Sequence, residues 1–286
     1  MNSEFLRLKT LAFILAFMMM PGICFSGNEN RSYGTRSFGC GQAGSLFTDV
    51  WSASNNPGAL GFLSRNAVAV SFDRQYNAFG QVSFAAAGKH NKWGSFGLSA
   101  SRFGPDFFTQ SRAGISWGKA FGIASVGLQT QWYQVNAQDQ PSRHYLLLNF
   151  GGLARLTSKL SFSGSISNLS QTKASDYTGE KLPTFVRAGI SLQANQSLLL
   201  IAEVQKDLDE PASVNAGVEY SFSKNLFART GFSTGTNTAF AGLGLIWREF
   251  NLDYGISRHP DLGWSHSLGL IMAFGQNKQE ATQTKH

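Results

Sequence analysis

From Ala67 to Phe274 the chain repeats one unit, a short segment in which apolar and polar side chains strictly alternate, followed by a polar or glycine-rich turn. Alternation with period two places successive side chains on opposite faces of an extended strand, so it limits the fold to β-sheet with two chemically different faces. Between Ser213 and Phe222, Val214, Ala216, Val218, Tyr220 and Phe222 oppose Ser213, Asn215, Gly217, Glu219 and Ser221. Between Glu249 and Ser257, Phe250, Leu252, Tyr254 and Ile256 oppose Asn251, Asp253, Gly255 and Ser257. From Lys159 to Ser167, four serines, Ser161, Ser163, Ser165 and Ser167, face away from Leu160, Phe162, Gly164 and Ile166.

A soluble sandwich also alternates, because one face of each strand packs on a core. Composition separates the two cases. Only 14% of residues are charged, against about 25% in soluble domains, while aromatics reach 13% and the chain has 31 glycines. Apolar faces that persist through nearly every strand, opposite faces of Ser, Gly, Asn, Gln, Glu and Arg, predict an all-β, transmembrane antiparallel β-barrel with lipid outside and water or a plug inside. Closure also removes the unpaired strand edges that hydrocarbon would not tolerate.

The count of such segments is about fourteen, an even number as in single-chain bacterial barrels. Short polar connections at 89–92, 157–158, 194–196 and 223–225 are expected at the periplasmic end. Longer ones at 103–110, 136–143, 170–183 and 259–264 are expected outside. Lipid-face Leu270→Arg is expected to be costly, and lumen-face Ser163→Arg milder.

Export is expected from the first residues. Arg7 and Lys9 precede an apolar run from Leu11 to Met20, then Pro21-Gly22 and a small-residue site at Ser26, which predicts a signal peptide over 1–26. That run is too short to span hydrocarbon, which takes about 20 apolar residues. Cleavage there leaves Cys40 as the one cysteine, so no intramolecular disulfide is available. The expected order is 27–66 as an N-terminal plug segment, 67–274 as barrel, and 275–286 as a disordered polar tail. Localisation follows as the cell outer membrane. Outer-membrane lipid and the barrel-assembly machinery are the expected partners, the latter through the terminal strand, where Leu268, Leu270, Met272 and Phe274 share the lipid face.

Residues 37–64 do not alternate. Phe38-Gly39-Cys40-Gly41-Gln42-Ala43-Gly44 leads through Asp49 and Trp51 to Asn56-Pro57-Gly58-Ala59-Leu60. Gly39, Gly41 and Gly44 match the dinucleotide fingerprint in spacing, but no strand precedes them and no βαβ unit follows, so a nucleotide is not expected. A compact turn and a short helix inside the lumen are expected instead, the helix ending at Asn56 because a residue before proline disfavours the helical region. Inward parity places Arg187, Glu203, Glu219, Arg229 and Asp253 in the lumen, where they pair and hold the plug or line a selectivity filter.

No Ser/His/Asp constellation stands out among five histidines and scattered serines, so no enzyme and no cofactor is expected. His259, Asp261 and His266 are assigned to a tight turn and rim rather than to a metal. The net charge of +7 comes from singly scattered Lys and Arg, with no basic run or aromatic platform, so nucleic acid is not an expected partner.

The glycine-rich start, Asp49, and Asn56-Pro57 ahead of Ala59-Leu60 resemble the FadL-like superfamily, especially the PorV/PorQ family of Bacteroidetes outer-membrane proteins. At the far end, Leu252-Asp253-Tyr254-Gly255, His259-Pro260-Asp261-Leu262-Gly263, His266 and Ser267 look like that family's penultimate hairpin. Two features depart from the pattern: Gly58 intervenes before Ala59, and the outer connections are short for partner binding. The resemblance implies a fourteen-stranded barrel with an N-terminal plug. For function it implies a scaffold in type IX protein secretion or surface assembly, touching secretion-system proteins or their cargo. The FadL branch implies a channel for small hydrophobic molecules instead, and an outer-membrane hydrolase is the third and weakest reading.

Overall fold

The computed structural model describes residues 31–275 apart from 91, 175–180 and 209. The leader expected over 1–26 and the tail beyond Gly275 lie outside the described residues. Fourteen antiparallel strands form a closed barrel in which each pairs with its chain neighbours and the first pairs with the last. They are β1 (Asn66–Gln75), β2 (Phe79–His90), β3 (Gly94–Phe103), β4 (Phe108–Phe121), β5 (Ala124–Ala137), β6 (Arg143–Arg155) and β7 (Leu160–Ser167). The second half comprises β8 (Phe185–Gln193), β9 (Leu198–Asp207), β10 (Ser213–Ser221), β11 (Leu226–Ser233), β12 (Thr238–Trp247), β13 (Phe250–His259) and β14 (Gly263–Phe274).

Closure is made by β1 on β14, with Val70 opposite Leu270 and Phe72 opposite Leu268. The apolar parity points outward throughout: Val82, Phe84, Leu98, Leu128, Phe162, Leu252 and Leu270 are exposed. Their inward neighbours Ser83, Gln129, Ser163, Glu219 and Asp253 are buried. A soluble protein would not expose this much contiguous apolar surface. In a bilayer the same surface is solvated by lipid, and closure lets neighbouring strands satisfy one another's backbone groups. The chain is an outer-membrane β-barrel.

Both ends of the barrel chain, Asn66 and Phe274, lie at one rim, directly opposite each other in the ladder. The longest connection, 168–184, lies at the other rim. With short turns periplasmic and long ones outside, the rim that holds the chain ends is periplasmic. The other outer connections are shorter than the sequence suggested. β4 resumes at Phe108 after β3 ends at Phe103, β5 runs to Ala137 before β6 starts at Arg143, and β13 runs to His259 before β14 starts at Gly263, leaving 104–107, 138–142 and 260–262 between strands. Polar residues such as Gln110 and Asn136 read as loop but continue the strands, Gln110 buried in the wall and Asn136 bonded through its side chain to Gln134 and Thr109.

The segment before β1 occupies the lumen as three short pieces rather than one helix: α1 (Thr35–Gly39), α2 (Ser52–Asn55) and a 3-10 turn over Pro57–Phe62. The first ends where Gly41 takes φ 70°, a left-handed backbone that glycine adopts without strain. The second ends at Asn56, extended at φ −157° and ψ 100° ahead of Pro57.

Replacing Leu270 by arginine is expected to cost about 2–4 kcal/mol, since the guanidinium would lie in hydrocarbon. Urea titration of the compact form on unheated gels measures it. The Ser163→Arg comparison, expected from sequence to be mild, is corrected by the structure: Ser163 is fully buried and its hydroxyl bonds that of Ser45 at 2.8 Å. The lumen there is filled by the plug, so a large charged side chain has nowhere to go.

Candidate functional site

The wall is shaped for the plug. Where the plug backbone presses on it, the inward positions are glycine: Gly118, Gly127 and Gly151 meet the 3-10 turn, and Gly217 and Gly231 meet Cys40 and Gly41. A Cβ at Gly217 would stand 2.5 Å from the Cys40 carbonyl oxygen, so any larger residue there displaces the plug. On the opposite wall Ala67, Ala69, Ala85 and Ala87 give the same clearance to Val50, Trp51 and Leu60. Burying side chains of that size contributes about 1.5–3 kcal/mol each.

Asn56 is the main polar anchor of the plug. It has no solvent exposure, and its amide nitrogen donates to the Ser45 carbonyl at 2.8 Å and to Gly152 of β6 at 3.1 Å. Its amide oxygen accepts the Gly58 N–H at 3.0 Å. Gly44 packs against Ser32 and Asn55, and Gly39 against Arg229 and Gly242. The Asp49 carboxylate accepts the Trp51 N–H at 2.9 Å and caps its own turn. Burial pushes its carboxyl upward, against the pull of Arg36.

Four charges meet on the far side. Arg36 grips Glu219 with two bonds, Nε to Oε2 at 2.8 Å and a terminal nitrogen to Oε1 at 2.6 Å. Arg229 donates from Nε to the same Oε2 at 2.6 Å and from a terminal nitrogen to Asp253. Burial works against the Arg36 charge, yet Glu219 more than offsets it and holds the guanidinium more firmly protonated than in water. Arg36 also lies over the Phe47 ring, 4.2 Å from its centre. A cleft of about 130 Å³ opens beside this cluster, lined by Arg36, Asp49, Glu219, Arg229 and Asp253 with Phe227 and Ile271. Arg187 and Glu203 form a separate, looser pair at 3.9 Å, and Glu203 accepts the Ser45 N–H at 3.0 Å.

The five lumen charges thus fall into two groups, and both groups touch the plug. Sequence reading missed Arg36, although a signal existed. The signal is its place beside the glycine-rich segment: an arginine in a segment expected inside the lumen needs an inward carboxylate as partner. The histidines serve the outer turn. His259 Nδ1 accepts the backbone N–H groups of Asp261 and Leu262, and His266 pairs with the Tyr254 hydroxyl at 2.8 Å. Leu268, Leu270, Met272 and Phe274 stand on the lipid side of β14.

The wall itself is interrupted at one place. β7 pairs with β6 only from Ser161 to Ile166, opposite Arg155 to Phe150, so among the described residues the outer half of β6, residues 143–149, has no strand on that side. Asn168 turns the chain away at φ 59° and is almost fully buried. Its N–H donates to Asn149 at 2.8 Å and its amide nitrogen to the Leu182 carbonyl at 2.9 Å, drawing the two ends of the 168–184 connection together. Contacts across the seam include Leu169 N–H to the Leu148 carbonyl at 2.7 Å, the Thr172 hydroxyl to the Leu146 carbonyl at 2.9 Å, and the Tyr145 hydroxyl to the Ala174 carbonyl at 3.1 Å. Two of these three contacts are made by side-chain hydroxyls. The inner surface beside the seam mixes apolar and polar groups: Tyr133 packs on Tyr145 with ring centres 6.0 Å apart, Leu147 and Phe185 share the inward parity, and Gln131, Asn149 and Arg112 lie among them.

A closed outer-membrane barrel with its N-terminal segment seated in the lumen defines the class. No family model matches the sequence, and no curated protein does. Among solved structures, the CymD monoaromatic hydrocarbon channel aligns with a TM-score of 0.62 at 12% identity, covering 87% of this chain and 99% of that one. The Pseudomonas putida toluene transporter TodX aligns with a TM-score of 0.62 at 11% identity, covering 87% and 100%. A Pseudomonas aeruginosa FadL homologue aligns at 0.55 and 13% identity, covering 84% and 96%. At such identities the similarity concerns the fold.

Proposed function

We propose that this protein is an outer-membrane channel for small, largely apolar molecules, and that they exchange with the bilayer through the seam between β6 and the 168–184 connection. The observation that carries the reading is the outer half of β6, paired with β5 but, among the described residues, not with β7: the contacts across the seam are one backbone bond and two hydroxyl bonds, with Tyr133, Tyr145, Leu147 and Phe185 on the inward parity beside it. An apolar solute gains nothing by crossing a polar, plugged lumen. It gains about 25 cal/mol per Å² by passing sideways into lipid instead of water. The barrels of similar fold that are described as hydrocarbon or toluene channels support this reading.

The secretion-scaffold reading rests on the motifs at the two ends of the chain, and the residues of those motifs have architectural roles: Asn56 seats the plug, Asp253 binds Arg229, and His259 closes a turn. Such motifs follow the plugged-barrel plan that both branches of the superfamily share, so they do not favour secretion over transport.

A cysteine pair at Leu146→Cys and Thr172→Cys tests the seam. The native Cys40 does not interfere, because it is fully buried and burial pushes its thiol up to about 12. Bridging the new pair with a short, reducible bifunctional reagent should bring toluene uptake into proteoliposomes down to the protein-free level, and reduction should restore it. Undiminished uptake with the bridge in place would remove the lateral route. Uptake no faster than in protein-free vesicles before bridging would remove the channel reading altogether.

A further inference from the structure

The two rims differ in charge. Six turns close the periplasmic rim, and five of them carry or adjoin a basic side chain: Lys92, Lys119, Lys159, Lys224 and Arg248, the exception being 194–197. Glu249 is the acidic residue among the described turn residues of that rim. The outer rim mixes signs, with Asp106, Asp139, Asp207, Glu210 and Asp261 among its lysines and arginines.

Aromatic side chains stand beside four of these cations, Lys92, Lys119, Lys224 and Arg248. Trp93 follows Lys92 and is 64% exposed, and Trp247 precedes Arg248 and is 61% exposed. Arg248 lies over the Trp247 ring at 5.2 Å, and Lys119 over Phe121 at 5.6 Å. Exposed Phe222 precedes Lys224 by two residues. Trp and Phe side chains at a barrel rim lie at the level of the lipid headgroups, so each adjoining cation is held at phosphate height.

We propose that this rim binds the headgroups of anionic phospholipids in the inner leaflet of the outer membrane. The distribution of charge favours lipid over a protein partner. The cations are spread around the circumference over five of the six turns, and Lys119 is on the outward parity of β4; a docked protein would call for one concentrated patch. Each such cation favours an anionic over a zwitterionic lipid by about 1 kcal/mol, a preference of about fivefold, and salt weakens it where the charges are exposed.

Native mass spectrometry of the full chain, equilibrated in detergent with equal phosphatidylglycerol and phosphatidylethanolamine, reads the ratio of bound lipids directly. A phosphatidylglycerol excess of about fivefold or more is expected, diminishing when the lipids are equilibrated in high salt. Changing Lys92, Lys119, Lys159, Lys224 and Arg248 to glutamine should bring the ratio close to one. If that variant does not assemble, the turn-borne triple Lys159→Gln, Lys224→Gln, Arg248→Gln should lower it partway. Outer-rim changes Arg143→Gln and Lys173→Gln should leave it as in the parent. Equal retention of the two lipids by the parent protein, or an excess that survives in the rim variants, overturns the proposal. So does a parent with no lipid preference whose rim binds a soluble acidic periplasmic protein.

Discussion

Arg229→Leu should destabilise the barrel by about 3–5 kcal/mol, the usual cost of removing one partner from a buried ion pair. Arg229 neutralises two carboxylates at once, Glu219 and Asp253, and the cluster is buried except along the cleft. Its removal leaves Asp253 without a cation, while Glu219 retains Arg36. Arg36→Leu removes a charge that belongs to the plug, not the wall, and Glu219 keeps Arg229. The barrel should then stay close to parental stability while the plug becomes accessible to protease. Urea midpoints of the compact form on unheated gels, with limited proteolysis of the same samples, separate the two outcomes. A midpoint for Arg229→Leu within about 0.5 kcal/mol of the parent would mean that the cluster contributes no net stability.

The barrel was legible because its physical cause is local. Lipid outside and a polar lumen inside impose period two on every strand, and segments such as Ser213–Ser221 and Phe250–His259 show it without any tertiary information. Parity also placed Glu219, Arg229 and Asp253 on one face. What parity cannot give is distance around the barrel, so it did not divide the five lumen charges into the tight Arg36 cluster and the looser Arg187–Glu203 pair. The outer turns were misjudged for a related reason. Polarity marks a loop only where the inner face is apolar, and on a polar barrel wall buried Gln110 and half-buried Asn136 serve a strand equally well.

The plug was legible as a break in the alternation and as a cluster of glycines, but not in its shape. Thr35–Gly39, Ser52–Asn55 and Pro57–Phe62 are each too short to show a helical period. They are held by a wall whose glycines and alanines lie far away in sequence. The seam was invisible to the sequence, since the shortness of β7 is a matter of pairing. The residue that causes it, Asn168, looks like any asparagine in a loop.

That the N-terminal segment is what closes the lumen is tested most directly by single-channel recording in planar bilayers, comparing the intact protein with a chain lacking residues 39–53. The deletion removes the body that lies against Gly217, Gly231 and Gly189 and leaves every strand bond in place. The intact protein should show little ion conductance. The deleted form should still run as a compact barrel on unheated gels and should conduct in discrete steps, because the exposed lumen of Ser163, Gln129, Asn149 and charged side chains fills with water. Large, steady conductance by the intact protein, or a deleted form that assembles and stays silent, would contradict the account.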